Sequence, residues 1–285
     1  MGMSEVIVRN RLGTKSTTPV GFPPSGIVGF FIRELPSSSQ GNTDTASGTG
    51  LLPYIIDTRI IPMRHRYRLA IREPVNALTH LLGAALAAVG MVVLLANGVA
   101  NDSARQIVAF AIFGTSLVLL YSASGIYHSV NCSERGLAML RRLDHMMIYV
   151  LIAGTYTPVC LVLLRGRLGI GLLIAVWMIA LAGIVQKLSW MQAPRWFSTV
   201  LYLGMGWAAM IVAKPLLGAA PLGFFLWIIA GGAFYTVGAV VYATKWPDPA
   251  PRTFGFHEIW HLFVMAGSFC HYWAVLAYVS HTAAA

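Results

Sequence analysis

Seven mostly apolar stretches, roughly 75–97, 106–128, 143–164, 168–189, 196–213, 221–243 and 257–280, dominate the chain beyond residue 70. A helix needs ~20 residues, at ~1.5 Å each, to cross ~30 Å of hydrocarbon, and each stretch meets or approaches that length, the fifth being the shortest. None of them alternates strictly between apolar and polar residues, so a lipid-facing barrel strand does not fit. In hydrocarbon every backbone N–H and C=O must then be paired within its own helix. The pattern predicts an all-α membrane protein, a seven-transmembrane helix bundle spanning 63–285.

Residues 1–62 break the pattern. They are rich in Gly, Ser, Thr and Pro, and their longest apolar stretch, Gly26 to Ile32, is far too short to span a bilayer. This composition predicts a disordered N-terminal tail. It lacks the basic start, continuous apolar core and small-residue cleavage site of a signal peptide. Met63 opens the basic segment RHRYRLAIRE and is an alternative native start, a hypothesis that N-terminal sequencing of the native protein tests.

Composition agrees with the pattern and narrows the partners. Hydrophobic residues make up 57% and charged residues only 11%, and the mean hydropathy is +0.69, values at which a water-soluble domain would aggregate. The net charge of +10 lies between apolar runs and forms no stripe, which points to anionic lipid headgroups and away from nucleic acid. The basic residues also orient the bundle. Arg59, Arg64, Arg66, Arg68, Arg72, Arg135, Arg141, Arg142, Lys187, Arg195, Lys245 and Arg252 fall on one side, against Arg105, Arg165, Arg167 and Lys214 on the other. The expectation is a cytoplasmic N-terminus and an outside C-terminus. Cys132, Cys160 and Cys270 are too few and too scattered for a disulfide framework or a zinc knuckle.

Ionisable groups near membrane spans are costly and mark sites of function. With alternating helix directions, His128 at the end of the second span, Asp144 at the start of the third, and His257 and His261 at the start of the seventh share one depth. His257 and His261 are four residues apart, one turn up the same helical face, as a two-point metal chelate requires. Ser124 lies one turn before His128. Three imidazoles with an open fourth position describe a catalytic zinc site, to which Asp144 would add a carboxylate. The plainer readings are helix caps or interhelical hydrogen bonds for the histidines, and for Asp144 a first-turn acid beside Arg141 and Arg142. Residues 257–261 also spell HEIWH, the zincin signature with Glu258 as base, but no acid follows Glu258 as a further ligand. Glu73, Asn76, Thr79 and His80 cluster at the start of the first span, where Glu73-Pro74 is also a helix-start signal. His271 reads as an interhelical hydrogen-bonding group, and Gly231 and Gly232 as close-packing positions.

The segments EPVNALTHLLGA, YSASGIYHS, RRLDHMMIYVLIAGTYTP and GFHEIWHLFVMAGS, in this order over about 70–280, resemble the hemolysin III family. That family is the bacterial branch of the progestin and adipoQ receptor superfamily. The resemblance implies a seven-helix bundle with zinc near the cytoplasmic face. Its motifs fall on Ser124 and His128, on Leu143 and Asp144, and on His257 and His261, and they do not require Glu at position 258. It further implies a bacterial inner-membrane location. The activity expected is zinc-dependent hydrolysis of a membrane lipid amide, as in the distantly related ceramidases, with Asp144 and Ser124 as catalytic groups. Glu73, His80 and Glu258 would support the metal ligands. The competing expectation is a non-catalytic lipid sensor or permeability protein with structural zinc, and a smaller alternative is a protease acting through HEIWH.

Overall fold

The computed structural model describes residues 5–9, 15–19, 71–251 and 253–282. Two units separate at residues 64 and 65. In the first, β1 (Glu5–Arg9) and β2 (Lys15–Pro19) pair antiparallel, with Glu5 opposite Pro19. The tail expected over 1–62 otherwise falls outside the described residues, as do Met63, Arg59, Arg64, Arg66, Arg68 and Arg252.

The second unit is the membrane bundle, and all seven of its helices are long and apolar enough to cross a bilayer. They are α1 (Pro74–Ala100), α2 (Ala104–Ser129), α3 (Glu134–Leu163), α4 (Gly166–Ser189), α5 (Arg195–Ala219), α6 (Leu222–Thr244) and α7 (Phe256–Val279). Each packs on its chain neighbours and α7 returns to α1, closing a ring.

Local chemistry sets the ends. Pro74 occupies the first turn of α1, where an amide proton would go unused. Ser103 and Ser133 cap α2 and α3 by accepting from the amides of Gln106 and Gly136. The third helix begins at Glu134, well before the apolar run predicted from 143, because its first turns carry Arg135, Arg141 and Arg142 and hydropathy alone does not register them. Asp144 is therefore not a first-turn acid; Glu134 holds that position. The fifth span, expected to end near 213, continues to Ala219. A 3-10 stretch, Ala208–Val212, leads into a new helical turn whose first residues include Pro215, so the missing amide proton costs no bond. In α3, Pro158 is followed by a π turn, Val159–Leu163. Thr155 and Thr157 donate to the carbonyls of Leu151 and Ala153, one turn back.

The bundle is apolar on the outside. Leu78, Leu82, Leu86 and Val89 form an exposed stripe on α1, while the opposite face carries Ala77, Gly83, Ala87 and Gly90. Those glycines permit close contact: a Cβ on Gly83 would lie 2.9 Å from the Tyr121 ring, and one on Gly90 2.8 Å from Tyr272. Gly231 is a close-packing position of the same kind, its space filled by the His271 imidazole. A Cβ on Gly232, by contrast, would meet Trp207 at an ordinary van der Waals distance, so Gly232 is not one.

Candidate metal centre

The last turn of α2 and the first turns of α7 bring together His128, His257 and His261. One ring nitrogen of each lies within 4.8 Å of the others. His128 and His261 are buried, and His257 is partly so. All three belong to helices whose register is held from the side by α1.

That hold begins just before α1. The amides of Arg72 and Glu73 donate to the carbonyls of Ser129 and His128, and the Arg72 guanidinium donates to Tyr127. Glu73 then meets His128 Nδ1 at 2.5 Å and Arg72 at 3.3 Å. Half-burial alone would raise the Glu73 carboxyl. The His128 hydrogen bond and charge, with Arg72 and Asn76, outweigh it and bring the pKa down to about 2. An ionised Glu73 keeps a proton on His128 Nδ1, so Nε2 is the nitrogen that can give up its proton and bind a ligand.

That Nε2 is buried without a partner, and so is Nδ1 of His261. Buried polar atoms are ordinarily hydrogen-bonded. Two orphaned imidazole nitrogens within a cluster of three histidines, one on a ring oriented by a carboxylate on its far side, fit a bound cation of the zinc type.

The other predicted residues surround this set. Asp144, well inside α3, lies near enough to Ser124 and His128 to sense both electrostatically. Asp144, Ser124, His257 and His261 line one cavity, whereas Asp144 is not among the three clustered ligands. His80 stacks on His261 with ring centroids 3.7 Å apart, and neither of its nitrogens has a partner. Glu258 faces elsewhere: one oxygen accepts from Asn76 Nδ2 at 2.8 Å and the other from the Gly255 amide at 2.7 Å, closing the N-terminus of α7. Asn76 also donates to Glu73, so it joins the starts of α1 and α7.

The cavity encloses about 1580 Å³, open mouth included. It reaches from His257 to His271, about 21 Å along α7 by the helical rise. Leu151, Ile152, Met210, Ile228 and Val264 make its walls apolar. His271 itself makes the expected interhelical bond, 3.2 Å to the Ile228 carbonyl. Sequence reasoning counted Arg72 and Lys187 only as orienting charges. Lys187 had a visible signal, since it lies inside an apolar run; Arg72 had none, because its role depends on which helix end lies beside it.

The profile of the family described as Haemolysin-III related matches residues 69–272. A "Hemolysin-3 homolog" of Bacillus subtilis (strain 168) is 40% identical over 206 residues, which is 72% of this chain and 93% of the relative. "Hemolysin-3" of Bacillus cereus is 38% identical over 211 residues, covering 74% and 93%. A human protein, "Monocyte to macrophage differentiation factor", is 26% identical over 223 residues, covering 76% and 89%. The last similarity is consistent with the wider receptor superfamily.

Proposed function

Since the chain belongs to the Haemolysin-III related family and is a multi-pass membrane protein, we propose that its histidine cluster holds zinc and hydrolyses a membrane lipid, at an amide bond of the ceramide kind. One observation carries the reading. Three convergent imidazoles include two with orphaned buried nitrogens, and two of the three, His257 and His261, line an apolar cavity together with a carboxylate and a hydroxyl that stand outside the ligand set. A structural zinc site is closed by four protein ligands, whereas a catalytic one keeps a position open.

His128, His257 and His261 would hold the zinc, which would supply Lewis acidity toward a scissile carbonyl and toward water. The protein does the rest. Glu73 keeps His128 in the tautomer that presents Nε2. Asp144 accepts the proton of the attacking water and returns it to the amine as the C–N bond breaks. The Ser124 hydroxyl donates to the oxygen that gains charge. The acyl chain lies along the apolar wall between the site and His271, reached sideways from the bilayer. Both Glu258 oxygens already accept hydrogen bonds, from Asn76 and the Gly255 amide, and Glu258 does not line the cavity, which disfavours the HEIWH alternative.

Metal analysis of purified protein should find about one zinc per chain, lost in His257→Ala and His261→Ala; unchanged zinc in both variants ends the site assignment. Lipid mass spectrometry of membranes carrying wild type or Asp144→Ala should show a hydrolysis product with the former alone. Identical lipid profiles with zinc present would favour the sensor or permeability protein.

A further inference from the structure

Lys187, in the last turn of α4, is only 3% exposed. Its ammonium donates to the Ser198 hydroxyl at 2.6 Å, a neutral acceptor. Among the described residues, neither it nor Arg141 nor Arg195 has a carboxylate within 4.0 Å. A buried cation without a counter-ion is costly, and the partial negative charge of a helix C-terminus compensates only a small part.

The surroundings add positive charge. Arg141 from α3 and Arg195 from α5 line the same cavity as Lys187, against a single acid, Asp144. The charge of Arg141 is felt at Lys187 and at Tyr242, and the Arg195 guanidinium lies 5.4 Å from the centre of the Tyr242 ring, which holds it in place. The end of α4 and the starts of α3, α5 and α7 all lie on one side of the ring, so the three cations stand at the level of the histidine cluster. Like charges gathered in a low-dielectric mouth attract an anion.

We propose that this mouth binds the phosphate-type headgroup of an anionic membrane lipid, gripped by Lys187, Arg195 and Arg141, with its chain in the apolar part of the cavity. Three cations from three helices suit a tetrahedral oxyanion with several acceptor oxygens. The arginines offer forked donors and the lysine a point charge. The cavity continues past the cations along Leu151, Ile152, Ile228 and Val264, which a free phosphate would leave unfilled and an acyl chain covers. The proposal rests on reading the cavity as a lipid site, and requires neither zinc nor turnover.

Native mass spectrometry of the detergent-purified full chain tests it, with phosphatidic acid, phosphatidylcholine of the same chains, and inorganic phosphate as probes. Phosphatidic acid should bind about tenfold or more tighter than phosphatidylcholine. Lys187→Gln and Arg195→Gln should each lose about tenfold of that preference, and Lys187→Arg should keep it. Arg195 is exposed, so its variant reports on binding even where the buried lysine variant fails to fold. Equal binding of the two lipids, or an undiminished preference in both glutamine variants, overturns the proposal. Inorganic phosphate binding as tightly as phosphatidic acid overturns the lipid assignment in favour of a free anion. A zinc-loaded wild type that hydrolyses a neutral lipid and ignores phosphatidic acid ends this proposal alone. Preference for phosphatidic acid in a protein that holds no zinc ends the hydrolase reading alone.

Discussion

Glu73 lies outside the spans yet orients His128, 55 positions away. Its carboxylate saturates Nδ1, so Nε2 faces His257 and His261 with nothing else to bond. Replacing Glu73 with Gln removes the charge that stabilises this tautomer, and zinc affinity should fall about 10–100-fold. Competition against a chelator of known affinity measures the loss; an unchanged affinity would reduce Glu73 to a staple of α1 on α2. Glu258 has the opposite expectation. Gln at the third helical position still supports a capping box. Glu258→Gln should therefore keep most of the lipid hydrolysis, where a base in the zincin manner would lose it by about a hundredfold or more. The two glutamates look alike in sequence, both beside histidine-bearing motifs, and differ only in what their oxygens touch.

At the scale of helices, the ring depends on how closely backbones approach. Gly90 of α1 lies against the Tyr272 ring, whose hydroxyl donates to the Gly90 carbonyl at 3.1 Å. Gly90→Ala must push α1 from α7, and overpacking of this kind costs about 1–3 kcal/mol. Gly171 of α4 has open space where a Cβ would go, so Gly171→Ala should stabilise by about 0.5–1 kcal/mol through helix propensity. Thermal unfolding in detergent should lower Tm for the first and leave it equal or raised for the second. If both shifted alike, helix propensity rather than interhelical contact would govern these positions. Since α1 also carries Asn76 and His80, Gly90→Ala should weaken zinc retention as well.

At the scale of the molecule, alternating direction sets the ends of α2, α4 and α6 beside the starts of α3, α5 and α7. This puts His128, Lys187 and Tyr242 on the same side as Asp144, Arg195 and His257. The distribution of Lys and Arg predicts that this side is cytoplasmic. A phosphatase reporter active only outside should stay silent when fused in the loop near Lys245 and become active after residue 282. Activity near Lys245 would invert the bundle and put its metal centre on the outer face.

Seven helices, their approximate limits and the depth of the histidines were legible in the sequence, because length and apolarity suffice to specify a span where backbone groups must pair internally. The extra turns of α3 and the continuation of α5 were not, since charged first turns and a proline look like an end until capping and helix restart are seen. The i, i+4 spacing of His257 and His261 announced a chelating face in one dimension. Tertiary structure decided what completes it. Glu73 meets His128, Glu258 turns to Asn76, His80 stacks on His261, and Lys187 shares one cavity with Arg141 and Arg195. Those outcomes depend on which helices are neighbours and at what rotation, and hydropathy carries no record of rotation when a helix is apolar on nearly every face.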